Sequence, residues 1–454
     1  MKKIFLYIFL LLSFLTQAQV ISGPMVGHTE LRTSNIWMHF SNDIKSAYLV
    51  FYKNGTTQNT TSYFKINDGL FKTASALLYN LEPATTYTYD VFVDAKKDKV
   101  ASGEITTQKL WQWRDKNAGV IPTFSFLTGS CAYINQPEYD RPGKPYGNDC
   151  SIFETMAKEK ADFMLWLGDN WYTREVDYYS EWGLHERPAR ERAMPVYKNF
   201  LKAMPHYAIW DDHDYGWNDA DKSYPLKETS REVFKQFWCN PSYGQNNQGI
   251  YTKTTWNDVD IFMLDDRWFR SNDETPDSID GKVNLNKKMY GEQQMEWFKN
   301  ALLQSNANHN ISFRIIATGS QVLNPMSPYD CFRHYSAEYK EMMDFIKDNN
   351  INGVVFLTGD RHHSEVIKVD RNATYPLYDI TASPLTSGSH NFGKEEKNNP
   401  YRVVGVENMQ NYTKITFIGE RKTRQMKVEF FDPKGIKQTD WTIGVKELSS
   451  PKEN

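Results

Sequence analysis

The sequence predicts a layered α+β domain, a sheet sandwich flanked by helices, preceded by a smaller all-β sandwich. Three observations predict it. From Thr123 onward, short apolar runs alternate with helical stretches, the pattern of sheets covered by helices. Before residue 109 the signals are all strand, separated by turn residues such as Asn54-Gly55. Several of the later apolar runs end in Gly or in paired acids, which sets Asp, His, Cys or Tyr side chains at strand ends.

In chain order, Lys2-Lys3 is a charged start, Ile4 to Leu15 an apolar run and Thr16-Gln17-Ala18 a cleavage site. Residues 1–18 therefore read as a secretory signal. The apolar run is shorter than the ~20 residues of a membrane span, and no later segment is apolar enough to be one. Residues 19–108 read as the β-sandwich. Strands are predicted at Asn35–Phe40, Ser46–Tyr52 and Thr86–Val93. In the last, Tyr87, Tyr89, Val91 and Val93 share one face, with Phe92 interrupting the polar side. The lead-in Leu81-x-Pro83-x-Thr85-x-Tyr87 resembles the tyrosine corner of fibronectin type III-like sandwiches. Residues 109–122 read as a linker, 123–447 as the layered domain and 448–454 as a disordered tail. Helices are expected near 152–160, 228–237, 291–303 and 337–348.

The net charge of −3 carries no nucleic-acid or anionic-membrane signature. Four cysteines, Cys131, Cys150, Cys239 and Cys331, are present. Export permits disulfides; with Cys131 on a metal, at most one bridge forms.

Four apolar runs carry the chemistry. Phe124–Leu127 leads through Thr128-Gly129-Ser130 to Cys131. Phe163–Leu167 leads through Gly168 to Asp169, Asn170 and Tyr172. Ile209-Trp210 leads to Asp211, Asp212 and His213, and Val354–Leu357 leads through Thr358-Gly359 to Asp360 and His362. Carboxylates bind hard cations and imidazole borderline ones. Thiolate and phenolate add negative charge suited to Fe(III), while Asp211, Asp212 and a shared Asp169 suit an all-oxygen calcium or magnesium site. Singly each residue has an ordinary structural explanation; jointly they predict a metal-dependent hydrolase.

These stretches, together with Leu264-Asp265-x-Arg267, resemble the PhoD-like alkaline phosphatases. Those belong to the wider calcineurin-like metallophosphoesterases and are similar to purple acid phosphatases. The resemblance spans most of Thr123 to Ser389. It implies that Cys131, Asp169, Tyr172, Asp360 and His362 hold an iron. Asp169 would bridge to a site made by Asp212 and Asp211, His213 would touch the phosphate, Arg267 would bind phosphoryl oxygens and Asn170 would assist. Where the superfamily usually has Asp and His, Gly-Asn-His, Gly-His and Gly-His-x-His, this chain has Ser130-Cys131, Asp211-Asp212-His213, Gly319-Ser320-Gln321 and Gly359-Asp360-Arg361-His362. These departures favour Fe(III) with one or two calcium ions over zinc or magnesium. His363 has two readings, support for a neighbouring ligand and plain packing.

The expected activity is hydrolysis of phosphate mono- or diesters by metal-bound hydroxide, with in-line attack and no covalent phosphoenzyme. Trapping a phosphorylated enzyme during turnover would overturn that mechanism. The expected setting is a periplasmic or secreted monomer. The alternative is a secreted binding or adhesion protein with an inactive hydrolase domain; a hydrolase of some other ester is a third reading. Between two of the motifs, Arg187, Arg190 and Arg192 fall in a predicted helix. They read either as a solvated face or as a lid that selects an anionic substrate.

Overall fold

The computed structural model describes residues 19–112 and 120–450. The expected signal segment, part of the linker (113–119) and residues 451–454 lie outside the described residues.

The N-terminal unit consists of a three-stranded sheet, Val20–Thr29, Ser34–Phe40 and Lys72–Leu78, and a four-stranded sheet, Asn59–Tyr63, Ala47–Lys53, Thr86–Val93 and Ala101–Thr106. Its core, which includes Ile36, Leu49, Tyr89 and Val91, is separate from that of the rest of the chain. Burial in Thr86–Val93 alternates residue by residue, with Tyr87, Tyr89, Val91 and Val93 inside. Phe92, on the outer face, lies opposite Tyr48 and stacks on it with centroids 5.1 Å apart, a cross-strand aromatic pair that explains an apolar residue there. The Tyr87 hydroxyl accepts a hydrogen bond from the Glu82 backbone N–H at 2.9 Å.

The second unit holds a six-stranded and a seven-stranded sheet, with one core built from residues of both. In the first sheet Phe124–Gly129, Phe163–Leu167 and His206–Ile209 run parallel. In the second, Val259–Met263, Phe313–Ala317, Val354–Thr358 and Leu377–Thr381 run parallel. These strands are buried along their whole length, so they are mostly apolar without alternation, with His206, Asp260, Arg314 and Asp379 the buried ionisable exceptions. Loops at the carboxyl ends of parallel strands gather at one edge, the usual place for a site in such sheets. The C-terminal strands Tyr412–Ile418, Gln425–Phe431 and Lys437–Gly444 complete the first sheet antiparallel.

Helices lie at Ser151–Met156, Lys227–Phe237, Gly291–Ala307 and Ser336–Asp348. The first stops short of the expected residue 160. Glu159 instead engages Lys414 at 2.8 Å and the Tyr412 hydroxyl at 2.9 Å. The packed chain also runs further than expected. Leu448 is buried, its carbonyl accepts from the Gly353 N–H at 2.8 Å, and the Ser450 N–H is bonded to Asn352. All four cysteines are unpaired.

The arginine-rich segment forms helices Glu181–Arg192 and Pro195–Ala203. Arg190 is half-buried, and Arg187 and Arg192 are buried, part of neither a solvated face nor the lining of the cleft. Arg187, 2% exposed, is held by Asp177 and Glu191. Arg192 is buried among Trp37, Trp171 and Trp238, with its cation 3.9 Å from the Trp238 ring centroid. It thereby ties the N-terminal unit to the loop that carries Asp169. Arg187→Ala is expected to destabilise the fold by roughly 2 kcal/mol, below the usual cost of breaking a buried pair because Glu191 keeps Arg174 at 3.7 Å. Urea unfolding measures it. Unchanged stability with a raised KM would restore the lid.

Candidate metal centre

Backbone shape sets the site. Gly168, which follows Phe163–Leu167, has φ +89°, and a Cβ there would stand 2.6 Å from the Asp211 Cβ. Only glycine lets the two strand-end loops close on each other. Cys131, Asp169, Asp360 and His362 all have φ between 52° and 65°. Left-handed conformations cost a non-glycine residue of order 1 kcal/mol or more and concentrate at functional sites. Here four candidate ligands share them.

Two groups of side chains converge. Cys131, Asp169 and His362 bring a thiol, a carboxylate and an imidazole together, as do the carboxylates and imidazole of Asp169, Asp212 and His213; in each group the ligand atoms lie within 4.8 Å of one another. Asp169 is common to both. Its Oδ2 accepts from the Tyr172 hydroxyl at 2.9 Å and from the Cys131 Sγ at 3.6 Å, and its Oδ1 accepts from the His213 N–H at 3.3 Å. The Tyr172 hydroxyl is 3.4 Å from His362 Nε2. The Gly388 carbonyl lies 2.7 Å from His362 Nδ1. A carbonyl only accepts, so Nδ1 carries the proton and Nε2 offers its lone pair to the cluster.

The electrostatics show that the donor set fits a cation. Burial, then the neighbouring Asp212 and Cys131, push the Asp169 carboxyl well above the usual carboxylate range. Burial, then Asp169, does the same to the Tyr172 phenol. Burial and the charge of Asp360 push the Cys131 thiol up to about 12. Burial is the largest cause of each shift and the neighbouring acids add to it; a cation among them would act in the opposite direction on all three. Asp212 is the exception: burial acts to raise it, but His213, Arg267, the Asp219 backbone N–H and Asp169 together hold it low.

The other expected residues are placed as follows. Asp360 lines the same cleft, its carboxyl raised to about 7 by burial and then by Asp330 and Asp212. Asp211 joins neither cluster: its Oδ1 pairs with Arg267 Nε at 2.6 Å. Arg267 is 1% exposed and is divided between Asp211 and Asp330, the latter at 3.1 Å. Asn170 donates its side-chain N–H to the Ile209 carbonyl at 2.8 Å and its backbone N–H to Asp214 at 2.9 Å, bracing the loop. His213 lines the cleft and stacks on Tyr172 with centroids 4.1 Å apart. His363 packs edge-on to Phe392 and near Glu365, in neither cluster.

Sequence reasoning missed several neighbours. The Ser383 hydroxyl donates to the Cys131 sulfur at 3.2 Å, the Tyr146 hydroxyl sits 2.9 Å from His362 Nδ1, and Asp330 bridges Arg267 and Arg270. Tyr146 and Asp330 lie in no strand-end motif, and Ser383 follows the strand Leu377–Thr381, whose run carries Tyr378 and Asp379 and did not stand out as apolar.

A family model for PhoD-like phosphatases matches residues 126–431. Alkaline phosphatase D of Bacillus subtilis (strain 168) is 26% identical over 283 residues, which is 54% of this chain and 46% of that protein. The chain thus spans about half the length of this curated relative. A solved structure of PhoD superposes with a TM-score of 0.76 at 19% identity, covering 96% of this chain and 92% of that one, which establishes the shared fold.

Proposed function

The chain belongs to the PhoD-like phosphatase family, and from that premise we propose that it is a secreted, metal-dependent phosphoesterase acting on phosphate mono- or diesters. The observation that carries this reading is the pair of clusters joined through Asp169. Cys131, Asp169, Tyr172, Asp360 and His362 would hold an iron(III), since an anionic set attracts a highly charged ion. Asp169 and Asp212 would hold one or two calcium ions; Asp211, outside both clusters with its Oδ1 on Arg267, could add only its other oxygen. When bound, such ions supply Lewis acidity, lowering the pKa of water and neutralising phosphoryl oxygens.

The remaining roles fall to the chain. His213 lines the cleft, where its imidazole would steady a phosphoryl oxygen or hand a proton to the leaving oxygen. Stacking on Tyr172 fixes the ring for that task. Asn170 would hold the Asp169 loop, and Arg267 would hold Asp211 in place and help keep Asp212 ionised. The family's phosphoryl contact would require Arg267 to give up Asp211 or Asp330. The alternative of an inactive binding domain has no support here, since the expected ligands are present and Cys131, Asp169, Asp212 and His362 converge. Export rests on residues 1–18. No helix among the described residues is long and apolar enough to cross a membrane.

Metal analysis with a visible spectrum tests the reading. Iron with calcium and a broad visible band are expected, the band disappearing in Tyr172→Phe, and chelation should abolish hydrolysis. Two zincs without colour would retain a phosphoesterase but remove the roles of Cys131 and Tyr172. A protein that binds no metal and cleaves no phosphate ester would end the proposal.

A further inference from the structure

The cleft over the two clusters has a volume of about 1430 Å³, above the roughly 300–1,000 Å³ of pockets that take drug-sized ligands. A phosphoryl group fills little of it, so most of the cleft serves the rest of the substrate. Its lining includes exposed aromatic side chains among the charged ones. Tyr139, Tyr146 and Tyr329 are 51%, 42% and 63% exposed, and all three line this cleft, as does Trp217. Single exposed aromatics need no explanation, but several around one mouth mark a binding surface.

Two of these rings, Tyr146 and Trp217, are also held in place. The Tyr146 hydroxyl is 2.9 Å from His362 Nδ1, and its ring stands edge-on to Tyr133 with centroids 5.1 Å apart. Behind it, a Cβ on Gly388 would come within 3.0 Å of the ring, so the backbone lies against the tyrosine. Trp217 is wedged edge-on to Tyr224 at 4.8 Å and to Tyr178 at 6.1 Å. Immobile rings lose little entropy when a ligand stacks on them. Because Tyr146 adjoins His362, its ring stands beside the candidate metal centre.

We propose that the cleft carries an aromatic subsite, made by Tyr139, Tyr146, Trp217 and Tyr329, for a leaving group with a flat ring face: a nucleobase or a sugar ring. A nucleobase presents a π face and a sugar ring a face of C–H groups, and either can lie flat on a tyrosine or tryptophan; for a base such stacking supplies about tenfold or more in affinity per ring. The inference rests on the phosphoesterase reading and assigns its substrate class.

The test compares kcat/KM of the purified protein on glycerol phosphate, a hexose 6-phosphate and a nucleoside 5′-phosphate, each as monoester and as methyl diester. All are esters of primary alcohols, so differences report binding of the remote group. The ring-bearing esters are expected to exceed glycerol phosphate by about tenfold. Nucleoside above hexose would identify a base as the occupant; equality would identify the sugar face. The double variant Tyr139→Ala/Tyr329→Ala should shrink that advantage several-fold and leave glycerol phosphate turnover unchanged. As a second readout, the free nucleoside or hexose should inhibit competitively, and glycerol should not. Equal kcat/KM across a series, or a ring preference that survives the double variant, would overturn the subsite. Failure to cleave any ester would instead overturn the phosphoesterase reading, and this inference with it.

Discussion

Asp169→Asn is expected to abolish hydrolysis, lowering kcat/KM by at least roughly 10³-fold, and to strip both metals. Metal-assisted charge stabilisation is worth several kcal/mol, and each ~1.4 kcal/mol is tenfold in rate. Among the described residues Asp169 is the one candidate ligand in both clusters, so its loss affects both at once. The substitution preserves shape but replaces an anionic oxygen with an N–H donor. That donor would confront either the Tyr172 hydroxyl or the His213 N–H, both of which now donate to the carboxylate. Stability should move the other way. Without metal, Asp169 is a buried acid raised by burial and by Asp212, and a neutral amide relieves that conflict. Metal-free Asp169→Asn is therefore expected to unfold at a urea concentration equal to or above that of the metal-free parent. Activity lost with stability kept is the mark of a residue held for chemistry. Parental turnover and metal content in the variant would remove Asp169 from its central place.

The same residues show what a sequence makes legible. Apolar strand, glycine and ligand are contiguous in Phe163–Asp169 and again in Val354–Asp360, so hydrophobic pattern and chemistry appear in one reading frame. Asp169, Tyr172 and His362 could thus be picked out from sequence alone, and the structure brings them together. What stayed hidden depends on partners far along the chain. Tyr146 meets His362 across 216 residues, and Asp330 meets Arg267 across 63. Arg187 and Arg192 misled for the same reason. A helix rich in arginine reads as solvated unless the buried Asp177 and Glu191 and the indoles around it are known. The end of the chain was misjudged because Leu448, short of obvious strand context, packs beneath Gly353.

Arg267 gives the second large effect, and its sign separates two roles. By resemblance it binds phosphoryl oxygens; in the structure its guanidinium is buried, with Nε on Asp211 and another nitrogen on Asp330. Removing one partner of a buried pair leaves an uncompensated charge, at a cost of about 3–5 kcal/mol. Asp330 keeps Arg270 at 2.7 Å, so the cost falls mainly on Asp211, which burial already raises well above the carboxylate range and Arg267 alone among its charged neighbours lowers. Arg267→Ala is therefore expected to lower the unfolding free energy by about 3 kcal/mol, read from urea unfolding. Metal affinity should weaken with it, because Arg267 also helps hold Asp212 ionised. Arg267→Lys should recover only part of the loss, since one ammonium cannot reproduce the fork that spans two carboxylates. A variant as stable as the parent, with KM raised and metal content unchanged, would show that Arg267 leaves its carboxylates to hold the phosphoryl group. A destabilised variant whose residual folded fraction keeps the parental KM would fix its role as the counter-charge that holds Asp211 in place beneath the metal centre.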